Sequence, residues 1–221
     1  MKMNGAVSFT GGARMSDRRF FVAPAAIAGE QISLSGELLH HISRVLRLSA
    51  GEEVVLLDGR GGHFRCELEQ LNGDAGNARI LEQWHEQEKC LDIQLIQSLP
   101  KGEKYDLILQ KGTELGIVNF TPVWSERSVP QFDAKRSEKK QQRWQRIVTE
   151  AARQSGRKVL PLAAPVVSFA EALNDCRQQL KLMLWEDGSQ PLADRLPDEA
   201  PASVAILVGP EGGFSRHEAE M

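Results

Sequence analysis

From residue 91 onward the sequence keeps to one grammar: a short apolar run of strand length, a polar segment, then a long amphipathic stretch. LDIQLIQSL, VNFTPVW, LMLW and VAILV are the runs, and their apolar residues come without strict alternation, as in strands covered on both faces. KRSEKKQQRWQRIVTEAARQSG sets Trp144, Ile147, Val148 and Ala151 at i, i+3, i+4 and i+7 and stops at Gly156, a C-cap. SFAEALNDCRQQL opens on Ser168 and Glu171, a capping box, and is expected to bury Phe169, Leu173, Cys176 and Leu180. Strands alternating with helices dictate a parallel sheet with crossover helices, an α/β fold.

The stretch before it follows a different period. From Arg19 to His85 the signals are short and β-like: RRFFV, QISL, EVVLL, HFRCELEQL and ARILEQW, separated by turn clusters such as Asp58-Gly59-Arg60-Gly61-Gly62. In HFRCELEQL, Phe64, Cys66 and Leu68 alternate with Arg65, Glu67 and Glu69, so one face is buried and the other wet. This predicts a small β-barrel or sandwich. Its helical insert is GELLHHISRVLRL, with Leu38, Ile42, Val45 and Leu46 on one face. A chain of 221 residues accommodates two cores. We place a disordered leader at 1–17, a first domain at 18–88 and a second at 89–221.

Several classes are excluded early. No stretch approaches the roughly 18 to 20 uninterrupted apolar residues of a membrane span, and Met1 to Met15 lacks a secretory apolar run, so a cytoplasmic protein is expected. The three cysteines, Cys66, Cys90 and Cys176, form no metal or redox spacing and are read as reduced thiols; no metal is expected.

In open parallel sheets ligands bind beyond the carboxyl ends of the strands. The segments there are Pro100-Lys101-Gly102-Glu103-Lys104, Ser125-Glu126-Arg127-Ser128, Glu186-Asp187-Gly188-Ser189 and Gly209-Pro210-Glu211-Gly212-Gly213. Ser215 and Glu218 form a capping box that fixes a helix start two residues past Gly213, so the glycine loop keeps its own geometry. It lacks the lysine of a phosphate loop and the spacing of a dinucleotide fingerprint. Its glycines free the main chain to meet the polar edge of a flat ligand such as adenine, while Pro210 stiffens the turn. An ordinary tight βα turn would satisfy the same letters.

VGPEGGFS after an apolar strand resembles the cofactor loop of the SPOUT methyltransferases. The ordered set RRFF, HHISRVLRL, KGEKYDLILQKGTELGI, TPVWSERSV, QRWQRIVTEAARQSGR and LVGPEGGFS is similar to the RsmE family of 16S ribosomal RNA methyltransferases, which modify ring nitrogen 3 of a uridine. The resemblance implies an N-terminal PUA-like β-barrel that binds RNA. It implies too a SPOUT domain with a parallel sheet and a C-terminal trefoil knot, S-adenosylmethionine as cofactor and a homodimer. Family members continue through a segment like LGxRILRxETA that threads the knot and walls the pocket; with Met221 as the last residue the knot is expected to be incomplete and the pocket open.

The expected cofactor-binding set is Leu184, Trp185, Glu186, Gly209, Pro210, Glu211, Gly212 and Gly213. The expected RNA-binding set is Arg18, Arg19, Arg44, Arg47, Lys101, Lys104, Arg127, Arg153 and Arg157. Charge supports this locally: the chain is formally −3, yet Arg127 to Lys158 holds ten Lys or Arg against Asp133, Glu138 and Glu150, a net +7, leaving −10 elsewhere. His40 and His41 are assigned to packing or solvent.

Chemistry on an activated sulfonium methyl asks mainly for alignment and for loss of the uridine imide proton. Glu211 is a candidate base, or equally a structural acceptor within its loop; Arg19 is the candidate stabiliser of charge on the uracil oxygens. Two rivals stand beside this reading: methylation of another RNA such as tRNA, and RNA binding without catalysis.

Overall fold

The computed structural model describes residues 18–88, 91–129, 133–188 and 191–221. The leader at 1–17, Cys90 and Ser189 lie outside the described residues. The chain divides into two compact units, one of residues 18–58 and 62–85, the other of residues 59–61 and 86–221. The turn Gly59–Gly61 belongs to the second unit through an antiparallel bridge from Arg60 to Val159 and the Leu160 N–H donated to the Gly59 carbonyl at 3.0 Å.

In the first unit, β1 (Arg19–Phe21), β2 (Ile27–Ala28), β3 (Gln31–Ser35), β4 (Glu53–Leu57), β5 (Gly62–Asn72) and β6 (Ala75–His85) form one sheet in the order β1-β4-β5-β6-β3-β2. Only the β1–β4 pair is parallel. The period-two pattern read in β5 is realised: Cys66 and Leu68 are buried while Arg65, Glu67 and Glu69 line the opposite face. There Arg65 pairs with Glu53 and Glu82, and Arg79 with Glu67 and Glu69, cross-strand partners of opposite sign.

The helical insert departs from its expected face. Helix α1 (Gly36–His40) runs straight into a π-turn over His41–Val45, closed by the Leu46 N–H to the His41 carbonyl at 2.9 Å. A π-turn adds a residue to the helical repeat and shifts the phase of everything after it. Ile42 is buried and Leu38 and Leu46 pack on the core as expected, with Leu39 buried besides, whereas Val45 is 59% exposed.

The second unit is a six-stranded parallel sheet: β7 (Asp92–Ser98), β8 (Asn119–Trp124), β10 (Val167–Ser168), β11 (Leu180–Leu184) and β12 (Ser203–Val208) run in the order β10-β8-β7-β12-β11, and β9 (Leu162–Ala163) pairs β8 beside this path. Helices α2 (Lys104–Glu114) and α3 (Ala134–Ser155) cover one face, where Leu95, Phe120, Trp144 and Val148 meet. Helix α4 (Phe169–Asp175) and the segment before α5 (Arg216–Glu220) cover the other, with Ile96, Val123, Leu207, Phe169 and Phe214. Burial on both faces is why these strands lack strict alternation.

Helix α3 forms as its pattern predicts. Asp133 caps it by accepting the Arg136 N–H at 2.8 Å, and Gly156 ends it at φ +72°, a left-handed position open to glycine. Gly112 sits inside α2 at a cost of about 1 kcal/mol relative to alanine. A Cβ there would lie 2.6 Å from the Phe120 ring, so the glycine is what lets the helix seat on β8. Helix α4 stops at Asp175, five residues before the expected end, because Leu180 pairs with Val204 in the sheet. Around that turn the Gln179 side-chain oxygen accepts the Ala202 N–H at 2.8 Å, and Ser203 Oγ accepts the Gln179 N–H at 3.0 Å.

Candidate active site

The segments beyond the strand ends converge, as the topology requires. The glycine loop folds back on itself: the Gly213 N–H donates to the Pro210 carbonyl at 2.9 Å, and a Cβ on Gly209 would meet the Gly213 backbone carbon at 2.9 Å. Position 209 therefore takes no side chain. Gly213 lies at φ +67°, and a Cβ there would come within 3.0 Å of the Glu186 carboxylate. Glu186 thus leans over the loop from the end of β11. Leu184, level with Val208 in the parallel register, is 55% exposed beside it, and Trp185 packs into the second core.

Side chains from neighbouring strand ends brace this loop. Glu211 accepts the Lys101 N–H at 3.1 Å and the Lys104 ammonium at 2.6 Å, both from the segment after β7. The Lys104 hydrogen bond, the N–H of Glu211 itself and the Lys101 N–H hold its carboxyl at about 2, well below the ordinary 4.5. A carboxylate so held is a poor acceptor of an imide proton, and it braces an adjacent segment as well as its own loop, the second of its two expected roles. Arg127, after β8, donates Nη1 to the Gly212 carbonyl at 2.5 Å, so it serves the loop as well as presenting charge at the surface. The capping box at Ser215 is formed, and the buried Glu218 carboxylate also accepts the Glu126 N–H at 2.7 Å, tying α5 to the segment after β8.

Sequence reasoning missed Gln97, whose buried amide donates to the Ser98 carbonyl at 2.9 Å, the Gly209 carbonyl at 3.2 Å and the Val208 carbonyl at 3.3 Å. The signal was present. Gln94, Gln97 and Ser98 are polar residues inside an otherwise apolar strand, and a buried amide needs partners.

The RNA-binding set separates. Arg157 is a correction: only 7% exposed, it pairs with Glu88 and donates to the Thr113 and Ile117 carbonyls at 3.0 and 3.1 Å. Its guanidinium is turned inward, with Nη1 on the end of α2 and the turn after it and Nε facing Glu88. Arg153 pairs with Glu150 on its own helix, and Arg18 with Glu52 at 3.0 Å. Arg19 is half-buried on β1; Arg44 and Arg47 are exposed, and Arg47 holds a positive φ of 55°. His41 packs edge-on against Phe20 at 5.8 Å and His40 faces solvent. Among the described residues no cluster of three or more His, Cys, Asp or Glu suits a metal, and no helix is long and apolar enough to cross a membrane.

A loop of bare main chain beside an exposed leucine and a carboxylate suits an adenosyl group: amide edges for the base, an apolar shelf for its face, an acceptor for ribose hydroxyls. Residues 86–221 match an RNA methyltransferase domain and residues 34–81 an RNA methyltransferase PUA domain. Ribosomal RNA small subunit methyltransferase E of Bacillus subtilis (strain 168) is 34% identical over 85% of this chain and 77% of its own length. The chain belongs to the RsmE family.

An RsmE-family structure from Neisseria gonorrhoeae, a ribosomal RNA small subunit methyltransferase E bound to S-adenosyl methionine, is 33% identical with a TM-score of 0.81, covering 92% of this chain and 84% of that one. A methyltransferase from Legionella pneumophila in complex with the same cofactor is 31% identical with a TM-score of 0.82, over 92% and 84%. The two units of the present structure are thus the PUA-like and SPOUT domains of an RsmE-family RNA methyltransferase.

Proposed function

We propose that this protein transfers a methyl group from S-adenosylmethionine to ring nitrogen 3 of a uridine in 16S ribosomal RNA, leaving S-adenosylhomocysteine and releasing the imide proton to solvent. The observation that carries the reading is the braced glycine loop, Gly209–Gly213, standing with Glu186 at the carboxyl ends of adjacent parallel strands. The cofactor, when bound, supplies a methyl already activated on sulfonium. The chain supplies position: Gly209 and Gly213 leave room for main-chain contact, and Glu186 accepts from hydroxyls. Arg19 stabilises negative charge as it builds on the uracil oxygens, worth about 10²–10³ in rate for one well-placed donor. Arg44 and Arg47 meet phosphate on the PUA-like domain. The enzyme works in the cytoplasm as a homodimer.

The test is methyl transfer by the full-length protein to 16S rRNA and to small subunits from a strain lacking the gene, with digestion and mass spectrometry of the nucleosides. N3-methyluridine at one site supports the proposal. A methyl on another nucleotide or on tRNA, or no transfer, overturns it. Sedimentation of the same preparation checks the dimer.

A further inference from the structure

We infer that Gln97 is a positioning residue for the methyl donor, acting through the first peptide of the glycine loop. The inference rests on the cofactor reading of that loop.

Gln97 is level with Val208 in the parallel β7–β12 register and buried to 4% exposure. Its amide has two protons and three carbonyls in reach: Ser98 at 2.9 Å, Gly209 at 3.2 Å and Val208 at 3.3 Å. One proton goes to Ser98, and the other is shared between two consecutive carbonyls of β12 and the loop. Consecutive carbonyls of a strand point to opposite sides, so a donor reaching both marks where the strand pattern breaks. Gln97 sits at that break and holds it.

The consequence lies on the far side of the peptide. All described peptides are trans, so with the Val208 carbonyl drawn toward β7 the Gly209 N–H is directed to the opposite side, toward β11. That is where Leu184 and Glu186 stand. The next peptide offers no donor, since Pro210 has no N–H. The clamp therefore fixes the direction of the first main-chain donor of the loop, and no side chain at 209 can substitute for it because the loop folds back onto that position.

Two substitutions test this. Gln97→Leu removes the donor at similar volume. Gln97→Glu keeps the shape but turns a carboxylate toward three carbonyl oxygens, and a protonated acid restores one donor. We expect Gln97→Leu to raise Kd for S-adenosylmethionine, by calorimetry, and KM for it at least tenfold, with KM for RNA and kcat at saturating cofactor within threefold of the parent. We expect Gln97→Glu to bind the cofactor at least tenfold more weakly at pH 8 than the parent and to recover affinity as pH falls toward 5. Equal cofactor affinity in Gln97→Leu and the parent overturns the inference. So does a Gln97→Leu loss that falls alike on both substrates in proportion to unfolded protein, or a Gln97→Glu deficit independent of pH. If Gln97→Leu fails to fold, the pH dependence of Gln97→Glu decides alone. A parent protein that binds no S-adenosylmethionine overturns the cofactor reading, and this inference with it, and is told apart by that control.

Discussion

Lys104 Nζ lies 2.6 Å from Glu211 Oε1, joining the first turn of α2 to the glycine loop across more than 100 residues of chain. The pair is at the surface, so its worth is geometric more than energetic. It makes Glu211 a brace, which separates two outcomes. A general base contributes about 10² to 10⁴ in rate, whereas losing one brace at a surface loop costs about tenfold or less. Glu211→Gln is expected to lower methyl transfer by less than about tenfold.

Its pH behaviour follows from the sign of the shift. A carboxyl lowered from 4.5 to about 2 on folding contributes stability that is complete above the unfolded value and is lost as pH falls from 4.5 through about 2. Denaturant melts of the parent and of Glu211→Gln should differ by a constant amount above pH 5 and converge below it. Between pH 6 and 9 the two activity profiles should keep the same shape.

The glycines of the loop are not equivalent. Alanine at 209 drives a Cβ into backbone at 2.9 Å, an overpacking of about 1–3 kcal/mol, and alanine at 213 forces a left-handed residue at about 1–2 kcal/mol. Alanine at 212 meets only the Arg127 side chain at 3.5 Å, an ordinary contact. Calorimetry should find cofactor affinity lowered tenfold or more in Gly209→Ala and Gly213→Ala, and nearly unchanged in Gly212→Ala.

Arg157→Met tests the corrected assignment. It strips the partner from Glu88, a carboxylate that also accepts the Lys158 and Val159 N–H groups at 3.0 and 2.9 Å. Breaking such a pair costs about 3–5 kcal/mol. Urea unfolding should show that loss, and the salt dependence of RNA binding by the folded fraction should stay as in the parent.

Arg44 and Arg47 should behave oppositely. Each is exposed, so alanine there is expected to leave stability within about 0.5 kcal/mol. If each meets a phosphate, the slope of log K against log salt for 16S rRNA fragments should fall by about 0.7–0.9 per substitution. A filter-binding series from low to high salt gives the number.

Much of this architecture could be read from the letters, because the rules that set it are local. The covered strands, the long α3 with its Gly156 end, and both capping boxes depend on residues within a few positions of each other. One misread element yielded to distant chain: helix α4 gave up Leu180 to a strand pairing with Val204. The other turned on a local irregularity that hydrophobic period does not signal, the π-turn after His40 that moved Val45 off the buried face.

The site shows the same division. Sequence determined that a side-chain-poor loop with a capped helix behind it would follow the last strand, since glycine, proline, serine and glutamate act on their own backbone. Only the tertiary structure decided what that loop touches. Gln97, Lys104, Arg127 and Glu186 reach it from three other strand ends, and Arg157 is withdrawn into the fold. Hydrogen bonds and ion pairs act over about 3 Å, so partners remote in sequence become definite only when the parallel sheet sets their strand ends side by side.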